Sequence, residues 1–301
     1  MKNSYLATLF IIILLNFSSC NNDDDTKPIS LADDPAAKSI RDIFTKEDFE
    51  LWFPDSIMAW GSKTRTRNPF YSYEAFIEAA KRYPKFGTEG SVEQNKKEIA
   101  AFLANCAHET TGGWSTAPGP HGTYSWGLYW IREVGCTPQK PCQQYTVPNQ
   151  EYPPMSTEGY YGRGPLQISY NYNYGRCSED LFGDKTILLK NPDMVATDSV
   201  LAFKAALWFW MTPQPPKPSC HQIMLEDWVP SRQDSMANRL PKYQFAMTIV
   251  VINGGVECYG TGTPSLQALN RVGFDSLFLD FYNIKKDLPV SDCDCSKISP
   301  Y

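Results

Sequence analysis

The stretch Ala107-His108-Glu109-Thr110-Thr111-Gly112-Gly113-Trp114 closes an amphipathic helix and sets a carboxylate where that helix breaks on two glycines. Behind it, Ile99, Phe102, Leu103 and Cys106 recur at helical spacing, and Ser91 with Gln94 forms a capping-box start. Glu109 lies ten residues after Ile99 (109 − 99), about 280° round the axis at about 100° per residue, so it falls at the rim of the buried face. A carboxyl there is partly desolvated yet able to face a cleft. Desolvation favours its protonated form, which suits a general acid.

Working outward, Thr45 with Asp48 makes a second capping-box pattern before Phe49 and Trp52, and Pro54 ends that helix. The folded part is expected to begin near Thr45. Tyr73, Phe76, Ile77 and Ala80 predict a one-faced helix ended by Pro84. Further helices are predicted over Ser199–Met211, stopped by Pro213, and over Tyr243–Ile252, stopped by Asn253-Gly254-Gly255. A last helix is expected over Ser265–Tyr282, with Leu266, Leu269, Leu277, Phe278 and Phe281 as its core face. Residues 112–165 are rich in Gly, Pro, Tyr and Trp, and so long a loop in a compact domain is usually functional. Strand-like pieces at Thr123–Tyr129 and Leu166–Ser169 suggest a small sheet. The expected fold class is α+β, mainly helical, with a small β element, in one domain over 41–301.

The net charge of −5 provides no basic footprint, so no nucleic-acid partner is expected. Leu6 to Leu15 is almost wholly apolar, too short to span a bilayer but right for a signal-peptide core. Ser18-Ser19-Cys20 then resembles a bacterial lipobox, which implies a signal peptide over 1–19 and a lipidated Cys20. Residues 20–40 are polar, acidic and Pro-interrupted, and read as a tether like those of Bacteroidetes surface lipoproteins. Membrane attachment through a lipid anchor, on the outer membrane surface, is the expected location, and a monomer the expected state.

Of nine cysteines, setting Cys20 aside leaves eight (9 − 1), an even number that suits disulfides in an exported protein. Cys136 and Cys142 could close a tight loop. Cys293-Asp294-Cys295 has no His/Cys set of zinc spacing beside it, and His108-Glu109 lacks the second histidine of a zinc-protease helix, so no metal is expected. No cofactor is implied. Trp208, Phe209 and Trp210 stand too close on one helix all to face a ligand, and read mostly as core. Gly162-Arg163-Gly164 lacks the lysine of a phosphate-binding loop and reads as a tight structural turn.

A second acid, Glu133, follows Glu109 by 24 positions (133 − 109), after an aromatic-rich loop. Two carboxyls across a sugar-sized cleft are what glycosidic hydrolysis requires. Several blocks point the same way: Ala107 to Trp114, Tyr160 to Ser169 (YYGRGPLQIS), Asn171 to Gly175 (NYNYG), Trp208 to Met211 with Gln214 to Pro218, and Ile252 to Glu257. In their order they resemble the family-19 glycoside hydrolases, the plant-type chitinases, from about residue 90 to 275. The resemblance implies a lysozyme-like fold and inverting hydrolysis of β-1,4-linked N-acetylglucosamine polymers such as chitin. It makes Glu109 the general acid, Glu133 the general base, and Ser169 the serine that helps hold the attacking water. Gln167, Tyr160, Tyr172, Asn173, Asn253 and Lys217 fall at substrate-contacting or cleft-lining positions. Glu257 and Arg271 fall around the acid, with His108 as a hydrogen-bonded supporting group. An inverting pair leaves room for a water, with the carboxyls about 6.5–9.5 Å apart.

The family position supports a Cys136–Cys142 bridge and pairs Cys258 with Cys293 or Cys295. Tyr129 stands where the family has a cysteine, so one plant-type bridge is missing. Two alternatives remain: a peptidoglycan-cleaving, muramidase-like hydrolase, and a surface glycan-binding protein without catalysis, against which the presence of both glutamates argues. The lipobox reading has a direct check. Mass spectrometry of the membrane fraction should find an acylated peptide beginning at Cys20; an unmodified soluble species from wild-type cells would sink it.

Overall fold

The computed structural model describes residues 40–54, 57–59, 62–64, 66–285 and 289–301. The expected signal peptide, the lipidation site Cys20 and the acidic tether as far as residue 39 lie outside the described residues. Ile40 is helical and, with Phe44, fully buried, so packing already includes residues ahead of Thr45.

Helices dominate. α1 (Lys46–Trp52) starts on the expected capping box: the Thr45 hydroxyl accepts from the Asp48 N–H, and the Asp48 carboxylate accepts from the Thr45 N–H. Trp52 then stacks on Phe278 with ring centroids 4.3 Å apart. α2 (Tyr73–Ala80) buries all four residues of its predicted face. α3 (Val92–Thr110) is capped reciprocally by Ser91 and Gln94, and Ile99, Phe102, Leu103 and Cys106 are wholly buried. α4 (Asn171–Phe182) and α5 (Thr186–Lys190) follow the long loop. α6 (Ser199–Met211) matches its predicted bounds, with Asp198 accepting from the Val200 and Leu201 N–H groups. α7 (Cys220–Met224), α8 (Arg232–Met236), α9 (Gln244–Glu257), α10 (Leu266–Phe281) and α11 (Val290–Cys293) complete the set.

Three expectations are corrected. The sheet is a pair of three-residue antiparallel strands, β1 (Ile57–Ala59) and β2 (Ser62–Thr64), with Ile57 opposite Thr64. Thr123–Tyr129 is instead a 3-10 turn and irregular chain. Of Leu166–Ser169 only Ile168 bridges, to Arg163. The helix expected to stop at Ile252 continues as α9 to Glu257, with one non-helical residue, Asn253 (φ −143°, ψ 28°), as a kink. The buried face of α10 is Ala268, Arg271, Val272, Phe274, Asp275, Phe278 and Leu279, while Leu266 is exposed.

Buried side chains form two clusters. The larger one surrounds α3, which packs most heavily on α10. The smaller one gathers Tyr152, Tyr160, Tyr174, Leu188, Leu189 and Trp208 beneath the long loop and α4. Trp208 and Trp210 are core, as expected, and Phe209 touches both clusters. Cys136–Cys142 and Cys258–Cys295 are bridged, so Cys295 rather than Cys293 is the partner of Cys258. Cys106, Cys177 and Cys220 are buried thiols, pushed up by burial and inert for it.

A carboxyl group is sealed inside the larger cluster. Glu98, wholly buried, accepts from the Trp210 indole N–H (3.0 Å), the Gly87 N–H (2.9 Å) and His221 Nδ1 (2.7 Å). His221 Nε2 donates to Glu89 at 3.1 Å. Burial opposes a charge on this imidazole, but the bonds to Glu98 and Glu89 outweigh it and raise its pKa. A raised folded value contributes stability that is complete below the unfolded pKa of about 6.5 and lost as pH rises through the folded value. The stability gap between wild type and His221→Asn, from urea titrations, should therefore be widest in mild acid and narrow above neutrality. Glu98→Ala should cost about 3 kcal/mol or more, because three buried donors lose their acceptor. A gap independent of pH would overturn the charged-histidine assignment.

Candidate active site

Glu109 sits one residue before the end of α3, its side chain 17% exposed at the rim of the buried face. The helix stops because Thr111 leaves helical geometry and Gly112 takes a positive φ of 72°. A Cβ on Gly113 would lie 2.6 Å from Asn270 Nδ2 and 2.8 Å from the Thr123 carbonyl, so only glycine lets the chain pass there. Asn270 Oδ1 accepts from the Gly113 N–H (3.0 Å) and from His108 Nδ1 (2.8 Å). Burial and then the nearby Arg271 lower the His108 pKa, which keeps the imidazole neutral at neutral pH.

Desolvation is only part of the Glu109 environment. Arg271, fully buried on α10, donates from Nη2 to Glu109 Oε1 at 2.5 Å. The same guanidinium donates to both oxygens of Glu257 (2.9 and 2.6 Å) and, through Nη1, to Asn105 Oδ1 (3.0 Å). Burial alone would raise the Glu257 pKa. The guanidinium overrides it and holds that carboxylate below its usual range. Asn253, turned out of helical geometry at the α9 kink, donates from Nδ2 to Glu257 Oε1 at 2.8 Å. Arg271 and Glu257 thus stand behind Glu109.

Glu133 is held by loop contacts. Its N–H donates to the Gly162 carbonyl (2.8 Å), and the Gly164 N–H donates to the Ile131 carbonyl (2.9 Å). Gly162-Arg163-Gly164 is a structural turn. Buried Arg163 pairs with Asp193 (3.1 Å), which Arg132 grips through two bonds, and its guanidinium lies 3.7 Å from the Tyr161 ring centroid. The Glu133 carboxylate accepts from the Tyr145 hydroxyl at Oε1 (2.8 Å) and from the Gly162 N–H at Oε2 (3.2 Å). Just beyond, Gln167 (φ 47°) and Tyr170 (φ 71°) take left-handed conformations, a strain of roughly 1–2 kcal/mol each that surrounding contacts must offset.

These elements enclose a cleft of about 830 Å³, within the range of ligand sites. Glu109, Glu133, Ser169, Gln167, Tyr172, Asn173, Asn253 and Lys217 all line it. Asn173 donates to the Ser169 carbonyl (2.9 Å), and its Oδ1 has no protein partner among the described residues. Lys217 donates to the Val251 carbonyl (3.0 Å), and burial lowers its pKa. Tyr160 is the exception: it is fully buried in the smaller cluster, where its hydroxyl donates to the Leu189 carbonyl (2.6 Å) and accepts from the Met155 N–H. It supports the loop from beneath, away from the lining. Sequence reasoning missed Tyr145, Trp130 and Gln214 in the lining, and Asn105 behind it. Asn105 was findable, four residues before Glu109 on the same helix face. Tyr145 carried no signal beyond its place just after Cys142.

Residues 52–295 match the model of the glycoside hydrolase family 19, chitinase class I. The chain belongs to that family. It is 49% identical over 226 residues to endochitinase B of Nicotiana tabacum, covering 75% of this chain and 64% of that one, so it spans less than two thirds of that relative. It is 51% identical over 205 residues to an endochitinase of Carica papaya, covering 68% and 79% of the two chains. Chitinase C of Streptomyces griseus superposes with a TM-score of 0.60 at 30% identity, over 82% of this chain and 96% of that one. The mainly helical, lysozyme-like fold of the family is thus the fold of this chain.

The ion cluster predicts its own consequences. Arg271→Ala leaves Glu257 buried without its cation and should cost about 3–5 kcal/mol in chemical denaturation. Because the Glu257 pKa is depressed in the folded state, its contribution is present above the unfolded value of about 4.3 and fades as pH falls through the folded one. Glu257→Gln should therefore flatten the acid side of the stability curve. An unchanged acid limb would contradict the pairing.

Proposed function

We propose that this glycoside hydrolase cleaves β-1,4-linked N-acetylglucosamine polymers by a single displacement, with Glu109 as general acid and Glu133 as general base. The observation that carries this reading is that two carboxylates, one from α3 and one from the long loop, open into one cleft. Apart from Arg132 and Lys217, the other polar side chains of the lining are uncharged amides and hydroxyls, which can bind sugar hydroxyls and N-acetyl groups without adding charge. Trp130, exposed on the lining, can stack on the apolar face of a sugar ring. Action within the polymer is supported by the likeness to relatives named endochitinases.

Glu109 delivers its proton to the leaving glycosidic oxygen. Glu133 takes a proton from a water on the opposite face of the ring, and that oxygen attacks the anomeric carbon as the bond breaks. The Ser169 hydroxyl orients the water. Glu109 is left as an anion against the Arg271 guanidinium, which stabilises the state after transfer. Proton return from Glu133 to Glu109 through solvent resets the pair. We also propose that lipid on Cys20 displays the enzyme at a bacterial membrane surface, in contact with an insoluble polymer.

Glu109→Gln should lower kcat by roughly 10²–10⁴ while leaving binding of a chitin hexamer largely intact, because glutamine keeps the shape without the proton. Glu133→Gln should lose turnover to a similar extent, and azide should partly restore it by attacking without a base. Proton NMR of early wild-type product should show the α-anomer; initial β-anomer would remove the base role from Glu133. Release of fragments from purified peptidoglycan, with chitin hexamer untouched, would move the assignment to a muramidase-like enzyme.

A further inference from the structure

We infer that Tyr145 is a positioning residue for Glu133, and that the Cys136–Cys142 disulfide is the device that delivers it there. The inference rests on the reading of Glu133 as the base. Tyr145 lies outside the sequence blocks that mark the cleft, yet its hydroxyl donates to Glu133 Oε1 at 2.8 Å. The Gly162 N–H serves the other oxygen at 3.2 Å. A carboxylate offers about four lone-pair positions. With one on each oxygen engaged, the rotation of the group is fixed and one direction on each remains for a water.

The covalent path explains how a loop side chain reaches this point. Glu133 lies three residues before Cys136 (136 − 133), and Tyr145 three residues after Cys142 (145 − 142). The bridge joins these two short arms. The Cys136 N–H donates to the Glu133 carbonyl (3.0 Å), which turns the first arm back, and residues 143–145 form a single 3-10 turn that turns the second. Thr137 and Lys140 exchange both backbone bonds between the cysteines, so the closed ring is itself rigid.

Beyond Tyr145 the chain is pinned to the start of α4, where Asn171 Oδ1 accepts from the Val147 N–H (2.9 Å). The Tyr145 ring meets Tyr170 edge-on at 5.2 Å, and Tyr170 stacks on Tyr172 at 5.3 Å. Partial burial and the neighbouring Glu133 push the phenol up to about 12, so it remains a donor throughout the working range of a glycosidase. A ring of only six residues' separation gives little loop-closure stabilisation compared with the 37-residue Cys258–Cys295 ring. Placing Tyr145 is the role that its position in the fold supports.

The test uses the full chain, chitin hexamer as substrate, and azide as a nucleophile that needs no base. Tyr145→Phe should lower kcat about tenfold with KM changed less than twofold, and azide should raise its turnover toward wild type while equimolar chloride does not. The paired Cys136→Ser, Cys142→Ser variant should lose kcat to a similar degree with the same azide response. Adding Tyr145→Phe to it should cost less than twofold more, because both changes remove one contact. A Tyr145→Phe enzyme with wild-type kcat overturns the positioning role, provided that Glu133→Gln is inactive and azide-responsive. If Glu133→Gln retains turnover, the failure lies with the base assignment itself. Multiplicative losses in the combined variant, or losses that azide does not touch, overturn the link between bridge and tyrosine.

Discussion

A guanidinium without access to water must be surrounded by charge and acceptors, and Arg271 organises this molecule around that requirement. Its partners come from two helices, Asn105 and Glu109 on α3 and Glu257 on α9, while α10 carries the arginine itself. Two of the partners are carboxyl groups and one is a neutral amide. Glu257 lies deep and takes two of the guanidinium bonds, while Glu109 takes one and lies at the edge. Glu109 is thus placed by the same contacts that lock α3, α9 and α10 together.

The same cluster explains where the sequence could and could not be read. The capping boxes at Thr45 and Ser91, and the apolar rows of α2, α3 and α6, stand as the spacing predicts, because local hydrogen bonds and burial agree there. The face of α10 is only partly legible: Phe278 is buried as predicted and Leu277 and Phe281 pack against the core, but Arg271 and Asp275 occupy the buried row, and a rule that seeks apolar residues turns the face toward Leu266 and Leu269. α9 was cut short for a related reason. Asn253-Gly254-Gly255 has the composition of a stop, yet after one kinked residue the helix resumes and carries Glu257 inward to Arg271. Strands of three residues give one alternation each, too little for periodicity to locate the sheet.

At the site, residues within dense motifs were legible, and eight of them do converge on the cleft. Tyr160 misled because it lies in such a motif but points into the smaller core. Motif membership records that a position is constrained, without saying whether by ligand or by packing. Tyr145 failed in the opposite sense. Its contact with Glu133 depends on a disulfide ring and a 3-10 turn, and neither has a side-chain pattern that spacing can expose.

Glu109 and Glu133 are therefore secured by different physics. Glu109 is fixed by helices of the larger cluster and by a buried ion group. Glu133 is fixed by the turn over the smaller cluster, by Arg132 and Arg163 on Asp193, and by a disulfide-closed loop. The separation of the two carboxyls, which decides whether a water fits between acid, base and sugar, is consequently set by how two cores meet. Phe209, packed against both clusters and lining the cleft, stands at that junction. Substitutions far from either glutamate that repack this junction act on the same separation, whereas changes confined to one core leave the other core's carboxyl anchored.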